Sequence, residues 1–188
     1  MAGFKFVGGA LCLDFVNTVS GRKRGRVAKD KINTCEDLTA WAAQAGLLSS
    51  SNRRRITRWP ADAVERARAF REALYRVLLA IAQERRPRAP DVRTVEGEIS
   101  AARAAERLVY SGRRFQWVRE SAGDIFQAVA ASAAELLTSD DLLRLRRCGG
   151  PDCGWLFLDT TRNRSRRWCD MKDCGNLAKV RRYRQRHT

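Results

Sequence analysis

The sequence predicts a mainly α-helical body with one small β-hairpin, followed by a short C-terminal unit of knuckle, β-hairpin and helix. Three observations carry this. Apolar residues recur every three or four positions from Val64 to Ile81, the longest amphipathic stretch in the chain. "LVYSGRRFQWV" (residues 108–118) breaks that rhythm with β-branched and aromatic residues around Ser111-Gly112. Four of the six cysteines lie within 27 residues, spaced C-x4-C-x15-C-x4-C. A chain of 188 residues suits one ordinary domain with a small appendage. We place the helical domain at residues 1–143 and the cysteine-bearing unit at 144–188.

The elements follow in order. In "ALCLDFVNTVS", Leu11, Phe15 and Thr18 fall at helical spacing, which predicts a short helix. The basic, glycine-containing stretch Gly21–Lys31 reads as a loop. Thr34 with Asp37 three residues on forms a capping-box pattern, and Leu38, Trp41, Ala42 and Ala45 give the helix a buried face that Gly46 ends. Pro60 precedes the long helix, and Pro87 and Pro90 end it. Val92, Val95, Ile99 and Ala102 carry the next helix, with Asp91 as its expected cap. After the hairpin around Ser111-Gly112, Ile125, Val129, Ser132 and Leu136 mark another helix. "SDDLLRLRR" adds a short helical turn capped by Ser139.

Lys and Arg number 37 against 21 Asp and Glu, a net charge of +16. Residues 144–188 hold thirteen of those cations and four of those anions, so over half of the surplus sits in a quarter of the chain. Such a concentration favours a polyanionic partner, nucleic acid before membrane. No apolar run is long enough to span a bilayer. The N-terminus has no basic flank and Asp14 interrupts its apolar stretch, so a signal peptide is not expected. A cytoplasmic location is the expectation, and there cysteines serve as metal ligands or buried thiols more often than as disulfides.

Two close cysteine pairs separated by a hairpin-length insert are the pattern of a four-cysteine zinc site. Cys148, Cys153, Cys169 and Cys174 are the expected ligands of one structural Zn2+, and four protein ligands leave no open catalytic position. Gly149, Gly150, Pro151 and Gly154 suit the tight turn of a zinc knuckle. The insert "WLFLDTTRNRSRRWC" reads as a β-hairpin, with Trp155, Phe157 and Asp159 on one face and Leu156 and Leu158 on the other. The second pair begins a helix, which completes a treble-clef-like finger. Cys12 and Cys35 have no partner spacing and read as buried thiols, and His187 as a solvated tail residue.

The run from Cys148 through "CGWLFLDTTRNRSRRWCDMKDCGNLAK" resembles the CGNR zinc finger, and "LCLDFVNT" near the N-terminus resembles the signature of the ABATE domain. The resemblance spans nearly the whole chain. It implies a bacterial transcriptional regulator that binds DNA through the finger, with the four zinc cysteines at the positions named above. One residue departs from the pattern: Leu177 stands where the family's name-giving Arg would be.

The helix after Cys174 carries Lys179, Arg182 and Arg186 on one stripe and Leu177, Val180 and Tyr183 or Arg184 on another, which is expected to pack on the hairpin. With Arg162, Arg164, Arg166 and Arg167 at the expected hairpin tip, these cations are the candidate DNA contacts. RNA is the alternative partner, which stacking by Trp155, Phe157 or Trp168 would favour. A lone small finger buries limited area, so a homodimer formed through the helical domain is expected. That domain also leaves room for a small-molecule effector. Asp14 and Asn17 are its best candidates for a ligand or catalytic site. No base or nucleophile stands beside them, so capping and buried hydrogen bonding are the stronger reading and no enzyme activity is expected.

Overall fold

The computed structural model describes residues 3–22, 27–48, 59–119 and 125–186. Most of the basic run "GRKRGR", all of "RRRITR" and His187 lie outside the described residues. Helix α1 (Leu11–Val16) is the centre of the body: Cys12 through Val16 are all buried. Fully burying a side chain such as Phe15 stabilises by about 1.5–3 kcal/mol. Phe15 meets Trp41 edge-on at 5.2 Å between ring centroids and Phe70 at 6.1 Å. Those rings come from α2 (Cys35–Gln44) and α3 (Ala63–Ala82).

The capping box forms as the sequence predicts. Thr34 Oγ1 accepts the Asp37 amide, and the Asp37 carboxylate accepts the Thr34 amide. Helix α4 (Ala89–Ala104) covers α3 and also α5 (Ile125–Leu137), which in turn lies on α1. Two details differ from expectation. Pro90 sits in the first turn of α4, where its missing N–H costs nothing. Arg88, not Asp91, occupies the cap position, because the Asp91 carboxylate is taken by the Arg76 guanidinium of α3 at 2.6 and 2.8 Å.

The strands form three separate antiparallel pairs. β1 (Val19–Ser20) and β2 (Lys29–Asp30) close the loop that the sequence presents as unstructured. β3 (Glu106–Ser111) and β4 (Arg114–Arg119) form the expected hairpin. Gly112 and Arg113 both have positive φ, the primed turn that suits the twist of a tight hairpin. After α5, "SDDLLRLRR" divides. Asp140–Arg144 is a 3-10 turn without a Ser139 side-chain cap, and Leu145–Arg147 is a strand, β5. β5 pairs with β6 (Leu156–Leu158) in the register Leu145↔Leu158.

β6 joins the body to the cysteine-bearing unit. Leu156 and Leu158 belong to the main core with Leu145, while Phe157 faces the other way into a second cluster with Trp155, Cys148 and Cys169. The Asn17 amide clamps this strand from the side. Its Nδ2 donates to Leu156 O at 2.8 Å, and its Oδ1 accepts Leu156 N–H at 3.0 Å. Trp155 Nε1 donates to Val19 O, Leu158 N to Gly8 O, and Tyr75 Oη to Gly154 O. Asp14 accepts the Gly8 amide at 2.8 Å and so orders the segment that receives Leu158.

Two buried arginines tie the remaining pieces to α3. Arg71 grips Asp30 bidentately at 2.7 and 2.6 Å and reaches Glu72 and Thr18. Arg22, from the run that reads as loop surface, is buried. It pairs with Glu72 through both terminal nitrogens and stacks on the Tyr75 ring at 3.8 Å.

Asn17→Ala strands the buried N–H and C=O of Leu156 together. We expect a loss of about 2–4 kcal/mol in denaturant unfolding of the zinc-loaded chain. A loss under 1 kcal/mol would show that the clamp is not what holds β6. Asp14 gives a pH signature. Burial lifts its carboxyl to about 6, against the Gly8 N–H that favours the charged form. A folded pKa above the unfolded one means the folded state holds the proton more tightly. Stability relative to Asp14→Asn therefore rises as pH falls through 6 toward 4, by at most about 3 kcal/mol. The difference between the two proteins across that window checks it, because metal effects common to both cancel.

Candidate metal centre and basic face

The first cysteine pair sits in the turn between β5 and β6. Cys148 follows β5 directly, and its N–H continues the ladder to Trp155 O at 2.8 Å. The chain then turns through Gly149–Gly154 and brings Cys153 back. Gly150 leaves room there: a Cβ at this position would stand 3.1 Å from Cys153 Cβ and 3.3 Å from Cys174 Sγ, crowding the sulfurs. Of the second pair, Cys169 precedes a π-helical turn, Met171–Gly175, and Cys174 lies within it; the turn leads into helix α6 (Asn176–Arg186). Asp170 caps the turn by accepting the Lys172 amide. Lys5 pairs with both Asp170 and Asp173, fastening the turn to the N-terminal segment.

All four sulfurs lie within 4.8 Å of one another. The Cys153–Cys169 and Cys169–Cys174 separations are 3.6 and 3.7 Å. Zn–S bonds of ~2.3 Å at tetrahedral angles set a sulfur–sulfur edge of about 3.8 Å, so the spacing fits zinc. Backbone amides of Gly150 and Cys169 point at Cys148 Sγ, both at 3.4 Å, the pattern that stabilises thiolate. Without a cation the four groups cannot all ionise. Hydrogen bonds from the Cys153 and Cys169 thiols hold Cys148 below the ordinary thiol range, and the bond to Cys148 pushes Cys153 above it. Bonds to Cys148 and Cys153 drive Cys169 far above its ordinary range, and burial raises Cys174. A divalent cation among the sulfurs neutralises this mutual repulsion. These four residues could hold one zinc ion, and the unit is a treble-clef-like finger of knuckle, strand pair and helix. Cys12 is buried and Cys35 half-buried, and neither belongs to the cluster.

The expected hairpin between the cysteine pairs is not what joins them. The strand pair brackets the knuckle instead, and residues 159–168 form a loop wound around Asp159. The buried Asp159 carboxylate accepts Thr161 N–H, Thr161 Oγ1 and Arg166 N–H. Thr161 in turn receives Ser165 N–H on its hydroxyl and Arg164 N–H on its carbonyl. Side chains satisfy the backbone groups that a second strand would have used. The Arg166 guanidinium lies over the Phe157 ring at 4.3 Å and donates to the carbonyls of Leu158, Trp168, Val7 and Cys169. It is a structural strut, so it leaves the set of candidate DNA contacts.

The other six named cations are exposed: Arg162, Arg164 and Arg167 on this loop, and Lys179, Arg182 and Arg186 on α6. α6 buries none of its residues. The apolar stripe does not pack on the strand pair, since Leu177, Val180 and Tyr183 stand 59, 47 and 64% exposed. The half-buried Ala178 and the exposed Arg181, whose guanidinium pairs with Asp152 at 3.1 Å, line a cavity of about 390 Å3 shared with the knuckle, Trp155 and Gly21. Trp155 and Phe157 are buried and Trp168 half-buried, so none of the three presents a free stacking face. Asp14 and Asn17 spend their polar atoms on Gly8 and Leu156. Sequence reasoning missed Arg22, Arg71 and Asp159. Only Asp159 leaves a local signal, as the Asp two residues before Thr161 in an Asx-type turn.

The ABATE family model, described as "Putative stress-induced transcription regulator", matches residues 9–140. The CGNR zinc finger model matches residues 144–187. No curated protein matches the chain. Among the described residues, no helix is long and apolar enough to cross a membrane.

Metal analysis of the purified protein is expected to give one zinc per chain. Cys174→Ser should reduce zinc retention by at least tenfold under chelator competition, while Cys35→Ser leaves it unchanged. Equal retention in the two variants would remove Cys174 from the ligand set.

Proposed function

The chain belongs to the ABATE family and ends in a CGNR zinc finger, and from that premise we propose that it is a zinc-dependent DNA-binding regulator of transcription. The observation that carries the reading is the placement of the metal site. The four-cysteine cluster fixes the start of a basic helix that buries none of its own residues. A cation on such a helix is presented in one direction, where the same charge on a free tail would not be. Lys179, Arg182 and Arg186 then make one bank of phosphate contacts, and Arg162, Arg164 and Arg167 the other. Guanidinium suits this task, since it pairs bidentately with phosphate and with guanine edges.

RNA gains no support from Trp155, Phe157 and Trp168, which are buried or half-buried in the finger. The proposal assigns the chain no catalytic step, and the helical body the task of dimerising or of sensing an effector. A dimer would place two fingers on two half-sites and supply the interface area that one finger lacks. The cell compartment of the proposal is the cytoplasm, where bacterial DNA lies.

Binding to random-sequence duplex across a salt series tests the reading. With roughly 4–6 phosphate contacts, log K against log[salt] should slope at about −4 to −5. Arg182→Ala and Arg186→Ala should each flatten the slope by about one unit, and Arg166→Ala should lower zinc-loaded stability with the slope kept. A flat slope in the wild-type protein would reduce the basic face to solvated surface. Tighter binding to single-stranded RNA than to duplex DNA would turn the assignment to RNA.

A further inference from the structure

The β3–β4 hairpin stands clear of the body. Residues 107–118 are all exposed, on both faces of the ribbon. Its register pairs Leu108 with Trp117 and Tyr110 with Phe115, which sets these four side chains on one face. Trp117, Tyr110 and Phe115 are 67, 63 and 65% exposed. Tyr110 and Phe115 tilt against each other at 5.1 Å between ring centroids. Neither the metal site nor the basic face of α6 uses this surface.

The charge around these rings is one-sided. Residues 103–118 hold four Arg and one Glu. Arg113 lies in the turn itself, at the end of the ribbon, and so belongs to neither face. Arg114 opens β4 with its side chain on the opposite face, across from Ser111, and adds to the positive field without sharing the aromatic surface. Among the described residues, neither arginine pairs with a carboxylate.

We propose that the ribbon is a stacking platform for single-stranded DNA: unpaired bases lie against Trp117 and the Tyr110–Phe115 row, and Arg113 meets the phosphate backbone at the tip. Exposed rings beside a surplus of cations are what a single strand needs, since every base has a π-face and every linkage a negative charge. A duplex hides its base faces, so this surface serves unpaired nucleotides. The two rows of the face stand two residues apart along the strand, about 7 Å, which leaves room for two or three bases. A protein partner fits less well. Even doubled on a second copy, these four side chains cover less than the ~1,200 Å2 at which specific interfaces begin. RNA is less favoured than DNA, because Ser111 and Gln116, which could meet a 2′-hydroxyl, stand on the other face. The inference goes beyond duplex binding by the finger and takes from that reading only the choice of DNA.

Titration of a labelled ~15-nucleotide oligo-dT with the full-length, zinc-loaded protein tests it, beside a duplex of the same length. The finger's cations also attract single strands, so the differences between variants carry the result. Phe115→Thr with Trp117→Thr should weaken oligo-dT binding at least ~10-fold and keep the duplex affinity, zinc content and helical circular dichroism. Oligo-dT should quench tryptophan fluorescence in the wild-type protein. Trp117→Phe should lose most of that quenching and keep most of the affinity, a split that a merely unfolded hairpin would not give. Arg113→Asn, which suits the positive φ of the turn, should flatten the oligo-dT salt slope by about 0.7 and leave the duplex slope unchanged. Equal oligo-dT binding by the wild-type and doubly substituted proteins would overturn the proposal. So would a double variant whose duplex affinity falls in step, or tighter binding of oligo-U than of oligo-dT, which would make the partner RNA. A wild-type dimer in sedimentation that the double variant breaks would give the face to a second copy and overturn it too. The duplex slope and its response to Arg182→Ala are read separately, so the finger's reading and this one can fail independently.

Discussion

Strand Leu156–Leu158 lies between two cores, and a single asparagine side chain holds it there. Asn17 offers Leu156 one donor and one acceptor in the spacing of a neighbouring strand. The body thereby supplies a substitute β-partner from a position adjoining its most buried helix. Alternation along the strand does the rest. Leu156 and Leu158 complete the helical core, and Phe157 goes to the cysteines. The finger is too small to bury much apolar surface alone. It borrows a wall from the body, and the body borrows three leucines from β5 and β6.

This arrangement gives "LDFVNT" a physical meaning. Leu13, Phe15 and Val16 fill the core. Asp14 fixes Gly8, Asn17 clamps Leu156, and the Thr18 hydroxyl donates to Phe15 O and accepts from Arg71. Nearly every residue of the motif is spent on seating the finger or on the core beneath it. The buried ion pairs serve the same joint from another side. Arg22 on Glu72 and Tyr75, and Tyr75 on Gly154, link the knuckle to α3. Removing one partner of such a network leaves a desolvated charge behind, which is costly, whereas the intact network is worth far less than its Coulomb attraction suggests. Its role is to fix geometry.

What the sequence revealed was local. The helical period from Val64 to Ile81, the Thr34–Asp37 box and the turn at Gly112 are each decided within a few residues, and each is found. The cysteine set was legible because four thiolates at that spacing have one stable arrangement. The misreadings share a different cause. The hairpin expected after Trp155 fails because Asp159 and Arg166 satisfy the backbone with side chains, and Arg166 reaches Val7, 159 residues away. No local pattern marks Arg71, because its partner Asp30 lies in β2, 41 residues away, and only folding brings the two together. Asn17 and Leu156 are 139 residues apart, and no periodicity reports such a pair.

Leu177 tests how far the family signature constrains the chain. An apolar residue in place of arginine should profit if the helix packed on that side. α6 buries nothing there, and Leu177 stands as open to solvent as Tyr183 two turns on. The replacement therefore contributes little to folding and removes one cation from the face that would meet phosphate. Direction survives the loss, because it is set at the start of the helix. There Cys174 belongs to the four-cysteine cluster and Gly175 is buried beneath Trp168 and Met171. Charge along α6 can thin or thicken without moving the start of the helix, since the cysteine cluster and not the charged surface lies there.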